Sequence, residues 1–102
     1  MINRSLRFLY NTYIILTMTI EELDHKTELM HDVISSNVKK YRMQKRVSQL
    51  QLALEIGLSG NAFIARAENR VKGAHFNIEH LVKISIILEL NFQDLFIADT
   101  HF

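Results

Sequence analysis

The chain contains almost nothing that would interrupt a helix. Its 102 residues include no proline and only three glycines, Gly57, Gly60 and Gly73. Proline and glycine are the residues that most strongly disfavour helix interiors, so long uninterrupted helices are favoured over most of the sequence. We therefore expect an all-α protein, and the length fits one domain rather than two.

Composition narrows the classes of function. Apolar residues make up 48% of the chain and charged residues 23%, as in a globular protein with a packed core. Cysteine is absent, which excludes disulfides, a thiolate zinc site and a cysteine nucleophile. The five histidines include no pair at the i, i+4 spacing of a helical zinc site, and no glycine-rich phosphate loop occurs. We expect no metal, no cofactor and no enzymatic activity.

The net charge of +1 conceals an uneven distribution along the chain. Residues 38–72 contain eight basic and two acidic residues, whereas acidic residues are in excess in both flanks, 1–37 and 73–102. A basic centre between acidic flanks is typical of a surface that binds phosphate groups. The alternative interpretation is a basic surface that is merely solvated.

Residues 1–20 are apolar enough to raise the question of a membrane signal. The longest uncharged run, residues 8–20, is too short to span a bilayer, and an acidic turn at residues 21–24 replaces a signal-peptide cleavage site. We expect a cytoplasmic protein without a membrane partner. The segment then packs on the domain or on a partner, or it precedes a working start at Met18 or Met30.

Hydrophobic periodicity and capping residues mark the first two helices of the domain. The chain reads as helical from Glu21, and Ile34, Val38 and Tyr41 recur at i, i+4 and i+7, which predicts the first helix of the domain over about residues 31–45. Ser48 is a suitable N-cap for a short second helix, and Gly57 would end it.

Three further helices are predicted after a link of about three residues. Ser59 would cap a third helix over residues 61–69, and a basic loop around Gly73 would follow it. Asn77 would cap a fourth helix in which Leu81, Ile84 and Leu88 form the inward face, and residues 92–96 would form a short fifth helix.

The second and third helices have the features of a helix-turn-helix over residues 48–68. The small side chain of Ala53 would let the third helix approach closely, and Gly57 can adopt the positive φ angle that a tight turn needs. Such a unit can place its second helix in the DNA major groove.

The chain resembles the Cro and phage-repressor (XRE) family of helix-turn-helix proteins in four segments, ISSNVKKYRMQ, SQLQLALEIGLS, AEN and FNIEHLVKISIILELNFQDLF. The resemblance covers about residues 33–96. It implies a five-helix, lambda-repressor-like DNA-binding domain over residues 30–97, with an N-terminal extension, 1–29, and a tail, 98–102. It also implies a transcriptional regulator that acts as a homodimer on a palindromic site in double-stranded DNA.

The resemblance implies roles for individual side chains. The base-reading positions on a recognition helix at about 60–69 match Asn61, Ala62 and Arg66. The phosphate-contacting positions match Gln49, Asn69, Arg70 and Lys72. A structural ion pair would join Arg42 and Glu68. The step from Gly57 to Glu68 is one residue longer than the family usually has, so a helix cap is the alternative role for Asn61, and a solvated position is the alternative for Arg66.

Several apolar residues occupy positions that are commonly polar in the family: Leu50, Leu54, Ile86 and Ile87. They would form an interface with a second subunit or with the N-terminal segment, unless neighbouring helices bury them. The same residues and the acidic flanks would also suit an antitoxin, a module that neutralises a partner toxin and for which DNA binding is secondary. These two functions remain open at the level of sequence.

Overall fold

The computed structural model describes residues 18–99. Over this range the chain forms four α-helices, two 3-10 helices and no strand, which confirms an all-α architecture. The α-helices are α1 Ile20–Gln44, α2 Gln49–Glu55, α3 Ala62–Glu68 and α4 Ile78–Ile87, and the 3-10 helices are Val71–Gly73 and Phe92–Phe96. Within this described range, no helix is both long enough and apolar enough to cross a membrane.

Helix α1 begins at Ile20, next to Glu21, from which the chain is predicted to be helical, and it continues without a break into the predicted first helix of the domain. Thr19 and Glu22 form a capping box, in which the Thr19 hydroxyl accepts from the Glu22 N–H at 3.1 Å and the Glu22 carboxylate accepts from the Thr19 N–H at 3.1 Å. The acidic stretch 21–24 is therefore helical rather than a turn, and the predicted boundary after residue 29 lies inside one continuous helix. The alternatives for residues 1–17, and most of the predicted tail, lie outside the described residues.

Helix α2 forms where its capping residues predict it. The Ser48 hydroxyl accepts from the Gln51 N–H at 3.0 Å, so Ser48 is the N-cap. Beyond the C-terminus, Gly57 has φ +93°, and a Cβ at this position would meet nothing within 4 Å. The backbone conformation, rather than a lack of space, is what favours glycine there.

The connection to α3 is longer than the predicted link of about three residues. It spans residues 56–61, because the N–H of Leu58 folds back to the carbonyl of Ala53 at 2.8 Å and keeps the chain in the C-terminal turn of α2. Ser59 lies within this connection, and Asn61 occupies the N-cap position of α3, so Ser59 is not the cap that was predicted.

Helix α4 starts at the predicted cap. The side chain of Asn77 accepts from the His80 N–H at 2.8 Å, and the His80 ring accepts from the Asn77 N–H at 3.1 Å. The predicted fifth helix is a 3-10 helix, Phe92–Phe96, which α1 holds through Asn37. All these elements surround one core, formed by Ile34, Val38, Leu52, Ala53, Ile56, Ile64, Ala67, Phe76, Leu81, Ile84, Leu88 and Leu95.

Candidate nucleic-acid interface

The predicted ion pair between Arg42 and Glu68 is present and joins α1 to α3. Arg42 Nε donates to Glu68 Oε2 at 2.7 Å and Nη2 donates to Oε1 at 3.0 Å, while Nη1 donates to the Val47 carbonyl at 2.9 Å. The Glu68 side chain is only 1% exposed and that of Arg42 10%. This buried bidentate contact fixes the end of α3 against α1 and against the turn that leads into α2.

Gln49 adds a third donor to the same carboxylate. Its Nε2 lies 3.1 Å from Glu68 Oε1 and donates to it, and the residue is half-buried. The first residue of α2 is thereby bound to the last residue of α3, which sets the relation between the two helices. Only one of the two amide N–H groups is used, so the other is left for the phosphate contact that the resemblance implies.

One face of α3 is exposed. Ala62, Arg66 and Asn69 follow one another at i, i+4 and i+7 on this face, whereas Ile64 and Ala67 on the other side are completely buried. The Arg66 side chain forms no hydrogen bond or ion pair with any residue between 18 and 99. The structure therefore brings two of the three predicted base-reading residues onto one open face.

Asn61 lies at the start of this exposed face. It occupies the N-cap position, with φ −89° and ψ 0°, but its side chain makes no capping hydrogen bond. The backbone position is that of a cap, while the amide group is exposed and not used in capping. The Asn61 amide is therefore left available to a ligand.

Arg70 is not placed as predicted. Its Nε donates to Asp32 at 2.9 Å, its Nη1 donates to the carbonyls of Gly73 and Ala74 at 2.9 and 3.0 Å, and its Nη2 pairs with Glu28. The side chain is 14% exposed. With four of its five N–H donors engaged within the chain, Arg70 holds the loop after α3 against α1, which favours a structural role for this residue over the predicted phosphate contact.

Two histidines complete this attachment of the loop to α1. The rings of His31 and His75 stack with centroids 4.0 Å apart, and His75 Nδ1 lies 3.1 Å from the Gly73 carbonyl oxygen. Burial lowers the pKa of His31, and the neighbouring His75 and Arg70 lower it further. No local pattern in the sequence predicts this cluster, because its two halves lie about forty residues apart.

The loop itself has an unusual backbone. Arg70, Lys72 and Gly73 have φ angles of +54°, +52° and +78°. The left-handed conformation costs a residue other than glycine roughly 1–2 kcal/mol, so the contacts of Arg70 offset a local penalty. Lys72 is exposed and has no ion-pair partner within the described range.

Asn69 lies at the end of α3. Its side chain donates one N–H to the Ala65 carbonyl at 2.9 Å.

Folding reduces the basic excess that the sequence predicts. Of the eight basic residues in 38–72, three pair with acidic residues: Lys40 with Asp99, Arg42 with Glu68, and Arg70 with Glu28 and Asp32. Five have no ion pair within residues 18–99: Lys39, Lys45, Arg46, Arg66 and Lys72. Acidic residues of the two flanks therefore pair with part of the basic centre. The basic residues that remain available to a ligand include Arg66 on α3 and Lys72 in the loop after it.

The predicted interface residues divide into two groups. Leu50, Leu54 and Ile86 are exposed, as an interface would require of a free chain. Ile87 is half-buried and packs against the core, so it is less accessible to a partner than the other three. Neighbouring helices cover it, which was the alternative for this set.

Comparison of the chain with protein-family models, with curated proteins and with solved structures finds no match. The functional assignment therefore rests on the residues and their geometry.

Proposed function

We propose that the protein is a cytoplasmic, sequence-specific DNA-binding regulator of transcription with a lambda-repressor-like domain, acting as a homodimer on a palindromic site. The observation that carries this proposal is the exposed face of α3. A helix of seven residues is fixed from behind by the buried contact of Arg42 with Glu68, and it presents Arg66 to solvent without a partner in the described range. A rigidly held helix with an unpaired arginine suits the major groove.

The chemistry of this face matches the edges of base pairs. Arginine can donate two hydrogen bonds to O6 and N7 of guanine, and asparagine can bind N6 and N7 of adenine, so Arg66 and Asn61 would specify bases. Ala62 would contact the methyl group of thymine. One turn separates Ala62 from Arg66, so both would meet neighbouring base pairs in the same groove.

Phosphate contacts would set the register of the domain on DNA. Gln49 at the start of α2, Asn69 at the end of α3 and Lys72 in the following loop each have a free or exposed donor. Lys39, Lys45 and Arg46 would add long-range attraction. Such contacts release counterions, so affinity would fall steeply as the salt concentration rises.

Selection of bound DNA from a random pool at two salt concentrations tests this proposal. We expect an enriched, two-fold symmetric site, with half-sites about one helical turn apart, and weaker binding at the higher salt concentration. The Arg66→Ala protein is the matched control, because the exposed Arg66 side chain forms no hydrogen bond or ion pair within residues 18–99, so we expect its loss to leave the fold intact. It should enrich a site with a weaker preference at one position of each half-site. A pool without any symmetric site would contradict the proposal.

A protein-binding module, such as an antitoxin, is a second candidate. Leu50 and Leu54 lie one turn apart on α2, and both are exposed. Such a pair on a helix surface favours contact with another protein. This function predicts that a toxin encoded beside the gene co-purifies with the protein and that Leu54→Glu abolishes the complex without changing DNA binding. Co-purification that is insensitive to Leu54→Glu would contradict this role for α2.

A further inference from the structure

Helix α4 has a second apolar stripe on the side that faces away from the core. Ile78, Val82 and Ile86 recur at i, i+4 and i+8, and they are 64%, 42% and 68% exposed. No part of residues 18–99 covers them. Three apolar side chains in one row along a helix are typical of a contact surface. Sequence analysis found only Ile86, although the same periodicity that predicts the core face of α4 would also have revealed this stripe.

A pair of charged residues borders the stripe on one side only. Lys83 Nζ donates to Glu79 Oε1 at 2.9 Å, and both side chains are exposed. On the opposite border lie Leu81 and Ser85, which are buried. The exposed surface of α4 is therefore an apolar row with one acidic and one basic residue along the same edge.

We propose that this stripe binds the same stripe on a second copy of the chain, with the two α4 helices antiparallel. When two helices are related by a two-fold axis across them, the same edge of each helix meets and the residue order is reversed. Glu79 of one copy then lies beside Lys83 of the other copy, and the reverse contact forms as well. In a parallel pair, the charged edge would instead meet the edge with Leu81 and Ser85, so charge complementarity selects the antiparallel pair.

The surface that the two α4 stripes would bury is small, so the dimer should be weak. Three apolar side chains from each copy bury far less than the roughly 1,200 Å² at the lower limit of stable complexes. We therefore expect a weak dimer that forms as the protein concentration rises. Binding to two adjacent half-sites on DNA would stabilise this dimer. The biological role of this dimer rests on the proposed function, but self-association is measured without DNA, so the two can fail separately.

Sedimentation equilibrium of the full chain over a range of concentrations tests the surface. We expect a shift from monomer towards dimer, and Val82→Glu should weaken it on the order of tenfold or more, because two carboxylates would meet at the axis. Met43→Glu, the same change at an exposed apolar residue on α1, is the matched control and should leave association unchanged, while Leu54→Glu tests α2 as the competing surface. Circular dichroism verifies that all three variants stay folded. A wild-type chain that is monomeric at all concentrations, or sensitivity to Leu54→Glu but not to Val82→Glu, would overturn the proposal.

Charge reversal tests the antiparallel orientation. Glu79→Lys and Lys83→Glu each place like charges side by side in a dimer of identical chains, so each variant alone should associate more weakly than the wild type. An equal mixture of the two should associate at least as well as the wild type, because both contacts between unlike chains are then attractive. An effect confined to the contact within each helix would not be rescued by mixing. A mixture no stronger than its components would overturn the antiparallel pairing.

Discussion

Arg42 and Glu68, which lie 26 positions apart in the sequence, form a bidentate ion pair in the interior of the protein. Gln49 donates to the same carboxylate, so three helices meet at Glu68. The side chains of the pair form no hydrogen bond with Ala62, Arg66 or Asn69 on the exposed face of α3. The contribution of the pair is to hold that face in one orientation, which a seven-residue helix does not achieve alone because such short helices are unstable in isolation.

Loss of one partner of this pair should be far more harmful than loss of both. Arg42→Met or Glu68→Leu leaves the other charge buried, and we expect each to lower the free energy of unfolding by about 3–5 kcal/mol. The double variant replaces the pair by apolar side chains and should recover most of that loss. Urea denaturation monitored by circular dichroism measures all three. Additive losses in the double variant would show that the two side chains do not depend on each other.

Two neighbouring polar residues on α1 should respond in opposite directions. Asn37 is buried and its Nδ2 donates to the carbonyls of Leu95 and Ile97, both at 2.9 Å, so Asn37→Ala should cost about 2–3 kcal/mol. Ser35 is equally buried, but within the described residues its hydroxyl has no hydrogen-bond partner. Ser35→Ala should therefore be neutral or stabilise by up to about 1 kcal/mol. Thermal denaturation compares them, and equal losses would contradict this account.

Acidification should destabilise the fold through two histidines. Burial is the main cause that lowers the pKa of both His31 and His80, so the folded state resists protons that the unfolded chain accepts. The free energy of unfolding should be constant well above the ordinary histidine pKa of about 6.5 and should fall as the pH drops below it.

Melting temperatures across this pH range test that expectation. His31→Gln should make the decrease on acidification shallower. His25→Gln is the matched control, since His25 is exposed on the same helix, and it should leave the decrease unchanged. A melting temperature that rises as the pH falls would contradict the expected sign.

Local signals in the sequence predicted much of the fold, whereas contacts between distant residues were harder to predict. The N-caps Ser48 and Asn77 and the positive φ angle of Gly57 depend only on neighbouring residues, so their roles could be predicted from the sequence. The helical character from Glu21 onwards was also predicted, whereas the capping box of Thr19 and Glu22 was not, although its spacing is visible in the sequence. The environment of Arg70 was not readable, since Glu28 reaches it only after α1 and the loop after α3 pack together.

The same difference explains which predicted site residues remain. Arg66 lies on an exposed helix face that periodicity alone defines, and it stays a candidate for base contact. Arg70 is a basic residue of the kind that contacts phosphates, but its guanidinium forms ion pairs with two carboxylates from the acidic flank. In the sequence, Glu28 and Asp32 belong to the acidic segment 1–37, which is separate from the basic segment 38–72. Folding nevertheless brings both carboxylates to Arg70.

Arg70 and Lys72 should therefore differ in a salt titration of DNA binding. Lys72→Ala should reduce the slope of log affinity against log salt by about 0.9 and leave stability unchanged. Arg70→Ala should instead lower the free energy of unfolding by about 1–2 kcal/mol, because the loop carbonyls lose their donor. Affinity measured at several salt concentrations, together with urea denaturation, separates the two. Equal changes in slope for the two variants, with no loss of stability for Arg70→Ala, would show that Arg70 contacts phosphate and has no structural role.

The central claim is that the exposed face of α3 reads DNA bases through Arg66. Its most direct test is the ratio of affinities for the selected site and for a scrambled site of equal length, measured at one salt concentration. Each bidentate contact to guanine is worth about 1–3 kcal/mol, and Arg66→Ala removes one from each half-site, so it should reduce this ratio by more than about tenfold. Lys72→Ala should weaken both affinities and keep the ratio. A ratio for Arg66→Ala equal to that of the wild type would contradict the claim.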